Sequence, residues 1–452
     1  MKNATSTALI LTLLMTGCAA VGPDYQTPAI DTPVRFVDGD ALSKGQMAAD
    51  QWWLNFGDSQ LNQLVARGRA QNLDVRTANE RINQAAAALR ATGQASQVSG
   101  TGSVSSTKSG TGSNSSSTAN SGTLAANYVF DIFGGARRDQ EQAAAELDGA
   151  VSDVGTAQLA LLASLVGNYI DARYYQEAIA LTRQSIATRR ETVTLTRQQQ
   201  ELGVVSELDY ANAEALLNEA LANLPALETG FYAATYGIAT LLGEPAGPIT
   251  KALERGSPQP RPKGSAAAGV PADVLRNRPD VISAERDLAA ATAAVGVATA
   301  DLYPSLDLDG SVTASDPSSW SFGPTLSLPI LNQTALRAVR DQQISVAKQA
   351  ELTWRSTVLT AIQEVQTAQT GYLRLQRETE ARRAAVGSYN RVLELSTSTY
   401  QAGTISLLDL LDAERSNADA QLSLAASVQD LANTWITLQI AAGRGWQVMP
   451  EQ

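Results

Sequence analysis

The chain has 452 residues, 44% hydrophobic and 17% charged, with 34 basic against 45 acidic side chains and no histidine. Its apolar content is sufficient for a packed core, whereas the formal charge of −11 argues against a nucleic-acid partner, which needs a basic surface. The absence of histidine excludes Ser-His-Asp and Cys-His active sites and histidine-ligated metals, and the single cysteine excludes an internal disulfide. A carboxylate, lysine or serine enzyme remains, as does a protein without covalent chemistry.

Residues 1–17 have the features of a targeting segment. One early basic residue precedes the apolar run Ala8–Met15, which is too short for the ~20 helical residues of a membrane span but typical of a cleaved signal peptide. Cys18 follows Thr and Gly in a pattern that resembles the bacterial lipobox, and the alternative is a secretory peptide with an incidental cysteine. We predict a lipoprotein signal peptide and lipidation of Cys18. By resemblance to sorted lipoproteins, Ala19 after the cysteine favours export to the outer membrane.

Each half of the chain contains a long stretch that favours helix. Residues ~136–202 and ~333–401 are rich in Ala, Gln, Glu, Arg and Leu and contain no proline. At about 1.5 Å per residue they make rods of roughly 100 Å, which indicates coiled-coil packing rather than a globular domain. Gly149, Gly155 and Gly167 interrupt the first rod, and close helix approach is one possible reason.

Other segments alternate between polar and apolar residues. The pattern is clear in 123–132, 302–314 and 320–330 and weak in 97–105. A period of two predicts strands with one polar and one apolar face, which suit a membrane β-barrel or, equally, a hairpin packed on a soluble core. Lipidation and the two rods favour the membrane. The Ser/Gly/Thr tract 99–123 is predicted to be a weak strand and a flexible loop at the cell exterior.

Two hairpins supply four strands, too few to close a barrel. An open edge in lipid leaves backbone groups unpaired at a cost of several kcal/mol each. Since the smallest closed barrels have about eight strands, the sheet has to combine strands from several copies. The sequence therefore predicts a homo-oligomeric conduit, with about eight strands in a dimer and about twelve, with a lumen, in a trimer.

The two halves also resemble each other. Residues 203–214 align with 403–414 at an offset of 200, with six of twelve positions identical, a spacing too long for a solenoid repeat. Prolines and glycines concentrated in 243–271 indicate a connecting segment between the halves.

Scattered motifs identify a family. Over residues 18–446 the chain resembles the TolC-like outer membrane factors, specifically the OprM/NodT-like lipoprotein branch serving efflux pumps of the resistance-nodulation-division (RND) type. The resemblance rests on Val21–Tyr25, Trp52–Asp58 with Leu61, Phe130–Gly134, Arg278–Val281 with Ala284–Arg286, and Leu302–Ser305.

This resemblance implies a mainly α chain with a membrane β-barrel: a homotrimer with a twelve-stranded barrel, a twelve-helix periplasmic tunnel and a mixed equatorial belt. It implies a drug-efflux exit duct anchored in the outer membrane, with no enzymatic activity and no cofactor besides the lipid on Cys18. The implied partners are a periplasmic adaptor (membrane fusion protein), an inner-membrane RND transporter and outer-membrane lipid.

The expected organisation has two repeats around a connector. After the signal peptide we expect an N-terminal and equatorial segment at 18–70, repeat 1 at 71–242, an equatorial connector at 243–277, repeat 2 at 278–442 and a C-terminal tail at 443–452. The repeats are expected to hold β-hairpins at about 97–132 and 302–331 and helical tips at about 203–209 and 403–412.

The repeated Gly-x-x-Ser-x-Leu-Asp segments have the pattern of helix caps. A glycine suits the left-handed end of one helix, and a serine with an aspartate three residues later suits the capping box of the next. The residues are Gly203, Ser206 and Asp209 in the first segment and Gly403, Ser406 and Asp409 in the second. Capping alone explains them.

Asp412 is not explained by capping. It lies one turn beyond Asp409, so a three-fold ring would stack two rings of carboxylates, which attract cations and narrow a pore. In the family, acidic positions matching Asp409 and Asp412 and an apolar one matching Leu408 constrict the periplasmic entrance. Tyr400 and Asp209 match positions of an inter-helix latch, whereas a basic latch residue is replaced here by Ile405.

Three other functions are considered. A type I protein-secretion duct has the same architecture, and a lipid-anchored coiled-coil scaffold has no pore. A glycosidase using Asp409 and Asp412 is disfavoured because a hairpin tip forms no cleft around two carboxyls. No phosphate-binding Gly-x-x-x-x-Gly-Lys-Ser/Thr segment exists.

Overall fold

The computed structural model describes residues 20–30, 51–110, 112, 116–263 and 276–447. The predicted signal peptide, Cys18, part of the N-terminal segment, part of the connector and half of the C-terminal tail lie outside these residues. The described chain is mainly helical with a few strands, as predicted, and forms two compact units. Unit 1 comprises 1–31, 79–153 and 280–358, and unit 2 comprises 32–78, 154–279 and 359–452.

The elements follow one another as a repeated helix–hairpin–helix–helix pattern. A short 3-10 helix, Trp52–Phe56, comes first, and a single turn, Gln94–Gln97, precedes the first strand. The labelled elements are α1 (Ser59–Gln71), α2 (Leu73–Arg90), β1 (Val98–Gly110), β2 (Ser116–Phe130), α3 (Gly135–Glu201), α4 (Glu207–Leu242), α5 (Ala246–Leu253), α6 (Pro279–Ala300), β3 (Ser305–Ala314), β4 (Ser319–Ser327), α7 (Gln333–Gln401) and α8 (Leu407–Ala441).

Unit 1 contains an antiparallel sheet in the order β1-β2-β3-β4. The β2–β3 register pairs Leu124 with Val312, which in turn faces Trp320 on β4, so apolar residues line one face. On the other face Asn127 donates to Asp309 (2.7 Å). Leu124 is 71% exposed and Trp320 78% exposed. The apolar face is therefore not covered by any of the described residues of the chain.

The Ser/Gly/Thr tract departs from the prediction. Most of the tract is strand, since β1 continues to Gly110 and β2 begins at Ser116. Apart from its first residue, the predicted weak strand 97–105 lies within β1, but the predicted flexible loop was wrong for most of its length, because strand pairing continues there and hydroxyls pair across the hairpin, as in Ser105–Ser121 (2.9 Å). This hairpin continues past the last β2–β3 pair, which is Gly122 with Ala314.

Residues 20–25, which come shortly after Cys18, are held tightly in unit 1, and we name them the N-terminal strap. Val21 N donates to Phe133 O (3.0 Å), and buried Arg138 donates to Val21 O (3.1 Å) and Asp24 (2.7 Å). A Cβ on Gly22 would lie 2.5 Å from the Cα of Gly296, so the two backbones touch. In addition, Tyr25 Oη donates to Glu285 Oε1 (2.9 Å).

Unit 2 has an aromatic core that accounts for further motif residues. Trp52 and Phe56 make edge-on contacts with Trp435, and Trp52 Nε1 donates to Arg444 O (3.0 Å). Arg278 is buried and donates to Glu364 and to the carbonyl of Ala441 at the end of α8. The motifs around Trp52 and Arg278 therefore join these residues to α8 and to the residues just beyond it.

The interrupting glycines of α3 have different surroundings. Gly155 lies against Trp446 and Pro279, where a Cβ would come within 2.6 Å of the indole, whereas nothing lies within 4 Å of a Cβ at Gly167. Close approach therefore explains Gly155 alone of these two. Among the described helices, α3 is long and apolar enough in one stretch to cross a membrane, but that stretch is 56% buried and a soluble core helix has the same composition.

Candidate functional site

The repeated segments form two turns of the same construction in unit 2, which we name the first tip (203–214) and the second tip (403–414). Gly203 has φ +72° and Gly403 φ +73°, the left-handed conformation in which glycine carries no steric penalty. The next amide in each turn closes the preceding helix: Val204 N donates to Gln199 O (2.8 Å) and Thr404 N to Thr399 O (3.1 Å). The chain therefore reverses in the same way at both tips.

Both tips contain a complete capping box. In the first tip Ser206 Oγ accepts from Asp209 N (3.2 Å), and Asp209 Oδ2 accepts from Ser206 N (3.0 Å). In the second tip the corresponding distances between Ser406 and Asp409 are 3.3 and 3.1 Å. Because serine and aspartate satisfy each other's backbone amides, these four residues have a structural role in the turn.

The first turns of α8 separate buried from exposed side chains. Leu407, Leu410 and Leu411 are each 4% exposed and pack on buried Ala213 of α4. Partly buried residues of three helices complete this small core: Val193, Leu216, Leu393 and Tyr400. By contrast, Leu408 is 57% exposed, and Asp409 and Asp412 are exposed. The three residues of the predicted gate therefore face away from the core that holds α8.

The two gate carboxylates have different partners. Hydrogen bonds from the side chain and backbone of Ser406 hold the pKa of Asp409 below its usual value. Asp412 forms an ion pair with Arg415 at 2.6 Å, and both side chains are mostly exposed. This pair was not predicted from the sequence, although an acid and a base three residues apart on a helix are a recognisable signal. The net negative charge of this surface is therefore smaller than two aspartates suggest.

The predicted latch residues, Tyr400 and Asp209, lie near each other, and each has its own hydrogen-bond partner within the chain. Tyr400 Oη donates to Gln199 Oε1 on α3 (2.7 Å), while the carboxylate of Asp209 serves its own capping box. Burial, with a smaller contribution from the charge of Asp209, raises the pKa of Tyr400, and its contacts with the side chains of Thr196 and Gln199 oppose this shift. Within one chain, Tyr400 therefore joins α7 to α3.

Nothing in the described part of the chain brings three or more acidic side chains or Cys together in a way that could hold a metal ion. The arrangement at the tips therefore offers charged and apolar surfaces rather than a ligand cage. Lipidation of Cys18 stays a prediction, since that residue is outside the described range.

Comparison with known proteins defines the class. The fold matches the outer-membrane channel OprN with a TM-score of 0.85 and 30% identity, over 95% of this chain and all of that one. It matches the open-state MtrE outer membrane channel of Neisseria gonorrhoeae with a TM-score of 0.83 and 26% identity, over 94% of this chain and 98% of that one. The fold is that of an outer membrane channel.

The sequence comparisons agree. Residues 64–244 and 270–444 match the outer membrane efflux protein family. Nodulation protein T of Rhizobium leguminosarum bv. viciae is 41% identical, over 97% of this chain and 93% of the relative. The toluene efflux pump outer membrane protein TtgC of Pseudomonas putida is 30% identical, over 97% and 94% respectively. The chain therefore belongs to the outer membrane efflux protein family. This result confirms the resemblance found in the sequence. The outer membrane efflux proteins among its relatives are channels and not enzymes.

Proposed function

We propose that the chain is the exit duct of a tripartite efflux pump, working as a homotrimer. In this proposal it passively conducts drugs or other small molecules to the cell exterior. They are delivered by an inner-membrane RND transporter through a periplasmic adaptor. Family membership and the description of TtgC as an efflux pump component support this proposal.

The observation that carries the proposal is the unfinished sheet of unit 1. Its apolar face is uncovered, with Phe322 71% exposed beside Leu124 and Trp320. Its edges, β1 and β4, have no strand neighbour within the described residues. An apolar sheet with open edges is stable in a bilayer only when the edges are paired. Pairing β1 of one copy with β4 of the next would give a twelve-stranded barrel in a trimer, with the long helices continuing as a twelve-helix tunnel.

We propose that the second tip gates the periplasmic entrance. Leu408, Asp409 and Asp412 project from the same end of α8, opposite its leucine core. Around a three-fold axis they would form an apolar constriction and two carboxylate rings, which repel one another and attract cations. The adjoining Arg415 would offset part of that charge. Tyr400 and Asp209 would hold neighbouring helices together in the closed state.

The start of the mature chain is proposed to be anchored in the membrane by lipid. Acyl chains on Cys18 would fix the mature N-terminus in the outer membrane without a spanning helix. The N-terminal strap supports this proposal, because it is bonded to the residues just beyond β2. The segments 18–70 and 243–277 are proposed to form the equatorial belt.

The test is single-channel conductance of the purified protein in planar bilayers. We expect small cation-preferring channels whose conductance rises, or whose cation preference falls, in Asp409→Ala/Asp412→Ala. The matched control is Asn212→Ala/Glu214→Ala at the first tip, which should leave conductance unchanged. Channels indifferent to the gate substitutions would limit those aspartates to capping and local ion pairing.

Two further measurements test the rival functions, one on the purified protein and one on cells that contain it. A well-folded protein that is monomeric or dimeric in detergent and makes no channels would contradict the duct and favour a lipid-anchored scaffold. Secretion of a polypeptide that depends on this chain, without any effect on small-molecule export, would favour a type I secretion duct.

A further inference from the structure

A small polar cavity lies behind the gate-bearing turn of α8, and we name it the tip cavity. Its volume is about 40 Å³, and residues of α3, α7 and α8 line it. The residues used below are Arg189, Leu393, Glu414 and Asn417. Glu414 is 5% exposed and Arg189 is 6% exposed, so the cavity brings together a buried acid and a buried base.

In each of these charged groups, one polar atom has a hydrogen-bond partner and another polar atom is buried without one. Glu414 Oε1 accepts from Thr192 Oγ1 (2.6 Å), and Arg189 Nη1 donates to Leu216 O (2.6 Å). Glu414 Oε2 and Arg189 Nε are buried and have no hydrogen-bond partner among the described residues. Burial of unpartnered atoms on charged groups is strongly unfavourable. Glu414 Oε2 needs a hydrogen-bond donor and Arg189 Nε needs an acceptor, so one ligand that can both donate and accept would satisfy both atoms.

Water meets these requirements. A buried water needs roughly 10–15 Å³ of such volume and two to four polar partners. The tip cavity exceeds that volume, and it offers an acceptor at Glu414 and a donor at Arg189. We propose that the tip cavity is a hydration site where water joins Glu414 to Arg189, and that this hydrated pair positions the gate residues of α8. The second half of this proposal rests on the proposed gate.

The link to the gate is the helix itself. Glu414 lies two residues after Asp412, on the buried side of α8, whereas Asp412 is on the exposed side. A contact that fixes Glu414 against α3 therefore also fixes the direction of Asp412. Glu414 is a positioning residue in this scheme and does not itself line the pore.

Arg189 is the charged group that faces Glu414 from the neighbouring helices. The neighbouring helices otherwise contribute uncharged groups. On α7, Leu393 lines the cavity and Asn390 accepts a hydrogen bond from Asn417 (2.6 Å). On α4, the carbonyl of Leu216 accepts a hydrogen bond from Arg189. On α8 itself, Arg415 is paired with Asp412. Burial raises the pKa of Glu414, against smaller opposite effects of Thr192 and Arg189.

The first experiment compares thermal unfolding of the detergent-solubilised protein with that of Glu414→Gln between pH 4 and 8. A carboxyl whose pKa is raised on folding stabilises the native state below its unfolded pKa of 4.5, and this contribution is lost as pH rises through the folded pKa. Glu414→Gln should therefore gain a few degrees in Tm relative to wild type as pH rises above 4.5. The exposed control Glu394→Gln should show no such trend, and a constant Tm difference for Glu414→Gln would overturn the site.

A second experiment tests the pair and its water. Arg189→Met and Glu414→Leu should each lower Tm, and the double variant should lose less than the sum, because each single change strands a buried charge. Additive losses would contradict a coupled pair. In a high-resolution map, density within hydrogen-bond distance of both Glu414 Oε2 and Arg189 Nε is expected, and a clear map without it would overturn the hydration site.

The positioning role is measured by conductance against pH. Wild type should show a step above pH 4.5 that Glu414→Gln lacks, with Asp409 and Asp412 intact and with Glu394→Gln behaving as wild type. Identical profiles for Glu414→Gln and wild type would overturn the positioning role. If wild type forms no channels, the proposed duct fails, while the unfolding data still decide the hydration site.

Discussion

The two tips have the same turn and opposite surroundings. Both have a glycine at positive φ, a serine N-cap and an aspartate that completes the capping box. Beyond the cap, the second tip buries Leu410 and Leu411, whereas the matching residues of the first are Tyr210, which is half-buried, and Ala211, which is exposed. Capping therefore determines where the chain reverses, and the residues that follow determine whether the new helix is packed.

The acidic residues show the same contrast. Glu414 is buried and Glu214, its counterpart, is exposed, where it accepts a hydrogen bond from Tyr210 (3.4 Å). Asp412 of the second tip is replaced in the first by Asn212. The same sequence pattern therefore begins two different helices. At the second tip, α8 has a packed face and an exposed acidic face, whereas at the first tip the start of α4 is mostly exposed to solvent.

The largest expected effect is loss of the leucine core at the second tip. Leu411→Ala should lower the free energy of unfolding by about 2–5 kcal/mol, because it opens a cavity among buried side chains. Urea unfolding of the detergent-solubilised protein measures this change. The exposed control Leu408→Ala should stay within about 0.5 kcal/mol. Equal losses for the two leucines would mean that α8 packs differently.

The caps should behave alike at the two tips. Ser206→Ala and Ser406→Ala should each cost about 1 kcal/mol, because each removes the acceptor for one helix N-terminal amide. The same urea experiment compares them, and Thr substitutions at both positions, which keep a hydroxyl, serve as controls. A markedly larger loss at one tip would show that its serine does more than cap.

The second cap should also depend on pH. Since hydrogen bonds to Ser406 lower the pKa of Asp409, the carboxylate contributes stability above its unfolded pKa of 3.8. This contribution is lost as pH falls through the lower folded pKa. The stability difference between wild type and Asp409→Asn should therefore shrink below pH 3.8 and stay constant between pH 5 and 7. A difference that changes across the neutral range would contradict this assignment.

The smallest expected effect on stability is that of Arg415→Ala. The ion pair with Asp412 is exposed, and such pairs contribute roughly 0–1 kcal/mol. If the pair offsets gate charge, the variant should nevertheless raise the cation preference of the channel, which reversal potentials in a salt gradient measure. Arg391→Ala, which removes an exposed pair with Glu394 on α7, is the matched control.

Local patterns predicted most of the fold. Proline-free stretches located α3 and α7 to within a residue or two, and alternation of period two located β2, β3 and β4 because a strand's two faces differ in polarity. The extent of strand structure in the Ser/Gly/Thr tract was underestimated, because its strands are held by hydroxyl contacts and backbone pairing rather than by apolar residues of their own.

The candidate site was less predictable. The repeated turn gave Ser206, Ser406 and their aspartates, since capping is a local interaction. The burial of Glu414 could not be read from the sequence, because Glu214 has the same local pattern and is exposed. That difference arises from which helices pack around α8, a property of the tertiary structure.

The N-terminal strap has a consequence for the order of assembly. Residues near the start of the chain contact residues that are synthesised much later. The hydrogen bond from Tyr25 to Glu285, for example, joins two positions that are 260 apart in the sequence. The backbone contact of Gly22 with Gly296 likewise requires α6 to be in place. The residues of the N-terminal strap are therefore synthesised long before the residues that they contact, and they can take their final position only after those residues are in place. An export pathway that handles this chain has to keep them accessible until the second half has folded.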